Sequence, residues 1–478
     1  MTNKSIWHKN IRTKRGSGKE LKEDIETNIL IIGAGITGLT TAYFLKDKDV
    51  TIIDKGKIGY GKTAFSTGKV TYLQDLLLKG NKENEDCYLL SQIEASNIIK
   101  KIILSNNIKC NYESNFSYLF AENESDVKKI KKIEKILSRN DIKFKVKEDF
   151  QGSHYSIKVE DTFVINPVKY LLGLKEKLSK EVKIYENSIA TDFDYKENKF
   201  ITKVNNNYIK SNYLIVTTGY PFLVSLGLIP FRAYIEKGYI GVMDNDKNKK
   251  YNAISANGNE SIRFYLDDSG KEYMLYSNFS DKLYKCMNNE DMTEELKWKT
   301  KAVYNKKISS IYSNTDVYTF DKIPLSGELY SNLYIATGYS GWGLTNGSIS
   351  AKIISDSING YQNQYKKTFN PNRKTGIFKG LLHNMESLTV YLSSKLKKEE
   401  QGNAYVYEKD NIKYGKYIDS KNEEHIVYNK CPHMGCNLTF NNVSKTWDCP
   451  CHSSRFDIDG NIIFGPSHYS IKVEKKKE

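Results

Sequence analysis

The sequence lacks an apolar segment long enough to cross a membrane. Its apolar run at residues 29–45 holds three Gly and three Thr, and it falls short of the ~20 apolar residues that a span needs. Residues 1–14 carry charges throughout and contain no apolar core of a secretory signal. We therefore expect a cytoplasmic protein with no membrane span.

Cysteine is scarce, with 7 in 478 residues, and a chain of this length is no small disulfide-stabilised scaffold. Three cysteines stand alone, as is typical of buried packing residues: Cys87, Cys110 and Cys286. The other four lie within 21 residues: Cys431, Cys436, Cys449 and Cys451. Their clustering indicates chemistry rather than packing.

Basic residues exceed acidic ones by 72 to 57, a formal net charge of +15. The lysines are spread along the chain between Glu, Asp and Asn, whereas a nucleic-acid or anionic-membrane partner requires charge concentrated on one stripe. We expect a solvated basic surface and no nucleic-acid partner. Hydrophobic residues at 39% and aromatic residues at 12% exclude global disorder.

Hydrophobic patterns divide the chain into regions of different class. A strand, helix and strand at 27–54 form a βαβ beginning, 231–280 reads as alternating strands of an antiparallel sheet, and amphipathic helices are predicted at 83–107 and 125–140. Further helices are predicted at 37–45, 347–359 and 378–398. We predict an α/β fold with an antiparallel β substrate domain and a C-terminal all-β module. The predicted division is an arm laid on the surface (1–26) with one aromatic anchor at 5–7, an oxidoreductase unit (27–360), a linker (361–403) and the β module (404–478).

A glycine-rich turn, Gly33-Ala-Gly35-Ile-Thr-Gly38, lies directly between the first strand and helix, and Asp54 ends the next strand. In this context the glycines permit a tight turn and a close approach to a pyrophosphate at the helix N-terminus, and the Asp binds ribose hydroxyls. The motif predicts a dinucleotide site. By itself it does not separate FAD from NAD.

Two further segments, at 61–71 and 319–345, favour FAD. Together with the turn they resemble the D-amino-acid oxidase-like family of FAD-dependent oxidoreductases, over about residues 27–360. The resemblance implies a Rossmann-like FAD-binding part (about 27–80, 165–220 and 320–360) and a substrate part (about 81–164 and 221–319). The implied FAD contacts are Gly33, Gly35, Thr37, Gly38, Asp54, Thr63, Gly341, Trp342, Gly343, Leu344 and Thr345.

The same resemblance places flavin or substrate contacts near Lys69, Arg232, Tyr234 and Arg263. An arginine at such a position could clamp a substrate carboxylate with two hydrogen bonds. The alternative for each of these residues is an ordinary surface or packing role. Lys69, Arg232 and Arg263 are the catalytic candidates.

The C-terminal module contains the pattern C-x-H-x15-C-x2-H, formed by Cys431, His433, Cys449 and His452. Each half offers one thiolate and one imidazole, which is the ligand set of a Rieske 2Fe-2S cluster, with two Cys on one iron and two His on the other. Zinc is the alternative, but zinc modules usually group Cys with Cys and His with His. The pattern predicts an iron–sulfur centre.

The two ligand loops, CPHMGC and CPCHSS, resemble those of Rieske proteins from cytochrome bc complexes. The resemblance implies a disulfide between Cys436 and Cys451 and a hydroxyl from Ser454 near the cluster. Those proteins carry a Tyr where this sequence has Phe456, so we expect one hydrogen bond fewer and a lower potential.

The whole arrangement resembles bacterial FAD-dependent oxidoreductases with a C-terminal Rieske domain. It implies oxidation of a small substrate, an amine or amino acid by family habit, with electrons passing singly from flavin to cluster and then to an outside partner. The alternatives are a redox sensor or carrier without turnover and a flavoprotein acting on tRNA. A Rieske oxygenase needs a mononuclear iron site, and no two of the remaining histidines form a close ligand pair.

Overall fold

A computed structural model describes residues 4–9, 11, 18–220, 223, 226–245, 250–282, 289–374, 376, 379–382, 385, 400–401, 403–451 and 454–473. Within these residues the α-helices are α1 Ile36–Leu45, α2 Lys82–Ser105, α3 Glu124–Arg139, α4 Pro167–Leu178, α5 Asn289–Tyr304, α6 Gly343–Ile358 and α7 Lys366–Phe369. None of the described helices is both long and apolar enough to cross a membrane.

The strands of the same described residues are, in chain order, β1 Ile25–Ile32, β2 Val50–Ile53, β3 Lys69–Val70, β4 Glu113–Phe120, β5 Lys145–Lys147, β6 Ser156–Val164, β7 Lys183–Tyr185, β8 Ala190–Lys196, β9 Lys199–Val204, β10 Asn207–Val216, β11 Ala233–Asp244, β12 Tyr251–Ser255, β13 Glu260–Leu266, β14 Glu272–Lys282, β15 Ile308–Thr319, β16 Leu325–Tyr330, β17 Leu333–Thr337, β18 Glu400–Gln401, β19 Ala404–Lys409, β20 Ile412–Ile418, β21 Glu424–Tyr428, β22 Thr439–Asn441, β23 Thr446–Asp448, β24 Arg455–Phe456 and β25 Ile462–Phe464.

The first sheet is mainly parallel and has the order β16-β17-β10-β1-β2-β7, with β9 and β8 continuing from β10. Its central strand β1 pairs in parallel with both β2 and β10. Because both faces of these strands are covered, β2 is apolar and buried at nearly every position. The carboxyl ends of β1, β10 and β17 therefore lie at one edge of the sheet, where α1 and α6 begin.

The second sheet runs in the order β15-β11-β14-β13-β12-β4-β6-β3, with β5 beside β6. It is largely antiparallel, and β11 and β15 pair over most of their length, with Glu236 opposite Asp316 and Tyr239 opposite Ser313. Alternate residues of a strand point to opposite faces. The β11–β15 pair consequently presents one set of side chains to each of the two regions that it separates.

The C-terminal unit contains two four-stranded sheets among its described residues, β18-β19-β20-β21 and β22-β23-β24-β25. Its core is small and centres on Trp447, which packs against Phe440 with the ring centroids 5.0 Å apart. A Cβ at Gly415 would lie 2.5 Å from the Trp447 ring, so this strand position accepts only glycine. A core of this size relies on additional cross-links for stability.

The structure agrees with the predicted helices to within two or three residues at α1, α2 and α3 and differs at α6, which begins at Gly343 rather than at residue 347. At the N-terminus the sequence predicts a surface arm with one aromatic anchor at 5–7, and Trp7 is fully buried there, in a short 3-10 helix, Ile6–His8. Cys110 is buried and Cys87 half-buried, whereas Cys286 and most of a helix predicted at 378–398 lie outside the described residues.

Candidate active site

The turn after β1 has the geometry that the sequence predicts. Gly33 has φ +106°, and Gly35 is the N-cap of α1. A Cβ at Gly38 would lie 1.8 Å from the Gly33 carbonyl oxygen, so helix and strand approach as closely as they do only because residue 38 is glycine. Backbone N–H groups at this helix N-terminus form a site for anionic groups.

Asp54 lies at the end of β2 beside this turn. Its carboxylate accepts hydrogen bonds from the backbone N–H of Ala34 at 2.8 Å and of Gly56 at 2.9 Å. These two bonds fix the carboxylate at the edge of the sheet, where it can accept hydrogen bonds from ribose hydroxyls. The carboxylate therefore occupies a defined position relative to the glycine turn.

The turn opens into a cavity of about 350 Å³. All of the FAD contacts implied by the sequence line it except Gly38, which lies behind Gly33. The late segment reaches the cavity because β17 lies beside β10 in the sheet, and α6 then begins at Gly343. Two helix N-termini thus meet at one cavity, and the residues present fit FAD.

Lys69 is the catalytic candidate that lines this cavity. Its Nζ donates to Ser261 Oγ at 2.5 Å and to the Ala253 carbonyl at 3.3 Å, and lies 5.4 Å from the centroid of the Trp342 ring. Burial lowers the pKa of Lys69 to about 7, although Asp75 opposes that shift. The amine therefore changes its charge near neutral pH.

The two arginine candidates lie elsewhere. Arg232 donates to the backbone carbonyls of Gly227, Pro371 and Arg373. Arg263 donates to the Thr67 carbonyl, and its guanidinium carbon lies 4.5 Å from the centroid of the Trp7 ring. Neither side chain lines the cavity. The structure therefore does not place the expected carboxylate clamp on these residues, because neither guanidinium group reaches the cavity surface.

The lining also contains residues that the sequence reasoning missed. Asp75 accepts a hydrogen bond from Trp342 Nε1 at 2.9 Å, and its pKa is raised by burial. Glu236 and Asp316, opposite each other on β11 and β15, line the cavity as well. No local motif marks these carboxylates, since only the pairing of distant strands brings them to the site. Tyr234, named above, instead accepts a hydrogen bond from Lys322.

Three of the four predicted cluster ligands lie within the described residues, whereas His452 lies outside them. Cys431 and Cys449 are buried, and a hydrogen bond between their side chains lowers the pKa of Cys431. Burial lowers the pKa of His433 to about 4, with a further contribution from His468. A thiolate and a neutral imidazole are the forms that bind metal.

Cys436 and Cys451 form a disulfide, as the resemblance implied. The sulfur atoms of Cys436, Cys449 and Cys451 lie within 4.8 Å of one another, but disulfide sulfurs supply no thiolate. Cys431 and Cys449 thus remain the predicted thiolate donors, and the residues present fit a 2Fe-2S cluster. The hydroxyl of Ser454 also lowers the pKa of Cys431.

The cluster domain contacts the second sheet through a buried ionic network. Asp448 accepts hydrogen bonds from Lys237 Nζ at 2.8 Å and from Arg455 Nε at 2.9 Å, and Arg455 Nη2 also donates to Ser313 at 3.0 Å. Lys237 and Ser313 belong to β11 and β15. The same two strands line the cofactor cavity with their other face.

The cluster domain also reaches the cavity directly. Four residues of its last loop line it, Ile463, Gly465, Ser467 and His468. The carbonyl of Gly465 accepts a hydrogen bond from Lys55 Nζ at 2.7 Å, and Lys55 directly follows Asp54 in the chain. Residues of the cluster domain therefore form part of the lining of the dinucleotide site.

Comparisons with known proteins agree with this geometry. The FAD dependent oxidoreductase family matches residues 28–357 and the Rieske [2Fe-2S] domain matches residues 386–474. The Rieske 2Fe-2S iron-sulfur protein YhfW of Bacillus subtilis is 27% identical over 95% of this chain and 94% of its own length.

Solved structures show the same fold over about three quarters of the chain. Glycine oxidase from Geobacillus kaustophilus has a TM-score of 0.63 at 12% identity, covering 73% of this chain and all of that one. L-proline dehydrogenase from P. horikoshii has a TM-score of 0.63 at 17% identity, covering 74% and 98%. The chain belongs to the FAD dependent oxidoreductase family and carries a C-terminal Rieske [2Fe-2S] domain, so it is an oxidoreductase that binds FAD and a 2Fe-2S cluster.

Proposed function

We propose that this oxidoreductase oxidises a small amine or amino acid and passes the electrons one at a time from FAD to its own Rieske cluster, and from there to an outside acceptor. One observation carries the proposal: residues at 463–468 of the cluster domain line the same cavity as the glycines of the dinucleotide motif. When bound, FAD accepts electrons in pairs and can release them singly, which matches the single-electron capacity of a cluster.

Contacts around the cluster support a transfer within one chain. His468 lines the cavity and acts electrostatically on His433, a predicted cluster ligand. The network of Lys237, Asp448 and Arg455 is almost fully buried, so it holds the cluster domain against the β11–β15 wall. A fixed domain needs no swinging motion to receive electrons.

The substrate class is proposed from the cavity lining. Lys69 and Asp75 both lie beside Trp342: Lys69 Nζ is 5.4 Å from the ring centroid, and Asp75 accepts a hydrogen bond from the ring Nε1 at 2.9 Å. Asp75 suits the ammonium group that amines and amino acids share, and Lys69 suits the carboxylate that only amino acids carry. The names of two structural neighbours, glycine oxidase and L-proline dehydrogenase, are compatible with this class.

Anaerobic reduction by candidate substrates tests the proposal. A panel of amines and amino acids is added to purified holoprotein, and flavin absorbance and the cluster EPR signal are followed together. We expect flavin bleaching followed by a Rieske EPR signal, with reduction of a one-electron dye. In a Cys431→Ser variant the substrate should still bleach the flavin, but dye reduction through the cluster should be lost.

A Cys87→Ser variant is the matched control, because Cys87 is half-buried and belongs to neither site. It should behave as the wild type in both steps. Dye reduction at the wild-type rate by Cys431→Ser protein would contradict the electron route. Full cofactor content with no bleaching by any compound would instead favour the sensor or carrier alternative.

A further inference from the structure

Arg263 on β13 is a buried cation with little compensation. It is fully buried, and its Nη1 donates to the carbonyl of Thr67. Its Nε and Nη2 have no hydrogen-bond partner within the part of the chain that the structure describes. Glu113, the acidic residue that acts on it electrostatically, lies 3.4 Å from Lys250 in an ion pair of its own.

Aromatic rings cover the rest of the guanidinium group. Its central carbon lies 4.5 Å from the centroid of Trp7 and 5.7 Å from that of Tyr265. Trp7 is held in place by a hydrogen bond from its Nε1 to the Ser66 carbonyl at 2.7 Å. Cation–π contacts return only part of the cost of burying a charge, so the charge as it stands is under-compensated.

The group remains charged at neutral pH. Burial lowers the pKa of Arg263, but only to about 9, and tyrosine hydroxyls and Glu113 oppose the shift. A buried cation of this kind is retained where an anion completes the site. The adjoining cofactor cavity can hold such an anion.

Only one peptide separates Arg263 from the cofactor cavity. Thr67, whose carbonyl it binds, and Gly68 both line the cavity. A Cβ at Gly68 would lie 2.1 Å from Arg263 Nη1, and this glycine has φ +69°. Because Gly68 has no side chain, only backbone atoms separate the cation from the cavity at this point, and they screen its charge little from a bound ligand.

We propose that Arg263 is a fixed positive charge of the cofactor site, that its counter-charge is the anionic dinucleotide in the adjoining cavity, and that Trp7 keeps water away from it. The inference rests on the FAD site and not on the identity of the substrate. A fixed cation favours the gain of negative charge nearby. It therefore raises the reduction potential of the flavin and its affinity for sulfite, which adds to oxidised flavins as an anion.

Two buried arginines allow a matched experiment. Arg263→Met and Arg263→Lys are compared with Arg232→Met, in which the lost guanidinium is bound to three backbone carbonyls and does not line the cavity. Sulfite affinity is measured by flavin bleaching and the flavin potential by spectroelectrochemistry, both without substrate. The EPR signal of the cluster checks that each variant is folded.

We expect Arg263→Met to bind sulfite about tenfold more weakly, about 1.4 kcal/mol, and to have a lower flavin potential. Arg263→Lys should retain most of the wild-type affinity, and Arg232→Met should change neither property. Wild-type sulfite affinity and potential in folded Arg263→Met protein would overturn the proposal. So would an equal loss in Arg232→Met, since that would show a general effect on stability.

Trp7→Ala provides a second test that keeps the charge. It admits water beside the guanidinium and should weaken sulfite binding in the same direction, whereas Trp7→Phe should preserve it. Unchanged sulfite affinity in Trp7→Ala would refute the shielding role of the N-terminal segment. Because sulfite needs no substrate, these results stand even if every amine and amino acid proves inactive.

Discussion

Asp448→Asn probes how the cluster domain is held against the cofactor cavity. The wild-type carboxylate is shared by Lys237 and Arg455, at 2.8 Å and 2.9 Å. The side chains of both cations are 2% exposed. Asn preserves the shape but removes the negative charge, so two buried cations are left without the carboxylate that they share.

Breaking a buried ion pair by removing one partner costs about 3–5 kcal/mol. We expect a loss of that size in the stability of the docked cluster domain, measured by denaturant unfolding with cluster absorbance and tryptophan fluorescence as the two signals. An Asp194→Asn variant is the control, because its ion pair with Lys196 is exposed on both sides, and exposed pairs contribute little. An unfolding midpoint for Asp448→Asn equal to that of the control would refute the reasoning.

The same carboxylate predicts how stability varies with pH. Burial raises the pKa of Asp448, but Arg455 and Lys237 together outweigh it and hold the pKa well below its usual range. The stabilisation is therefore fully present above the ordinary aspartate value near 4 and is lost as the pH falls below it. Wild-type stability should fall more steeply below about pH 4 than that of Asp448→Asn, and parallel acid curves would contradict this.

Three further changes have defined outcomes. Gly38→Ala should yield protein without FAD, seen as absent flavin absorbance, because its Cβ would collide with a carbonyl at 1.8 Å. Gly270→Ala, which lies outside the cavity and has no described atom within 4 Å of its added Cβ, should keep the flavin. For an amino-acid substrate, kcat/KM should fall as the pH rises through about 7, because burial lowers the pKa of Lys69 to that value and the neutral amine no longer attracts a carboxylate. Lys69→Met should abolish that pH dependence and leave the oxidation of simple amines unchanged, and a wild-type pH profile in Lys69→Met would exclude the assigned role. Cys436→Ser opens a disulfide with a sequence separation of 15 and should destabilise the cluster domain by about 3 kcal/mol, and equal thermal midpoints in oxidised wild type and variant would disprove the effect.

Local patterns were sufficient for much of this protein. The helix predicted at 83–107 is α2, Lys82–Ser105, because a helical period depends only on neighbouring residues. The glycine turn could be recognised because each glycine answers a steric requirement within a few residues, as the contact of Gly38 with Gly33 illustrates. The spacing of Cys and His likewise predicted the cluster site, because a Rieske cluster needs one Cys and one His from each of two short loops.

Long-range packing decided the rest. Arg232 and Arg263 looked alike in the sequence, and only their surroundings show that one binds backbone carbonyls and the other lies behind the cofactor loop. The sequence marks Trp7 as an anchor of the N-terminal arm but does not predict where its ring packs, because a single aromatic residue in a polar segment carries no period. Burial of that residue depends on a partner some 250 positions away.

The sequence by itself determined the two cofactor motifs, the main helices and the order of the domains, because these follow from the period of side chains and from the fixed geometry of turns and ligands. Only the tertiary structure decided that the cluster domain forms part of the cavity wall and that Lys237 meets Asp448 across 211 positions. Such contacts depend on how strands pair and faces pack, and no local pattern encodes which distant surface will be opposite.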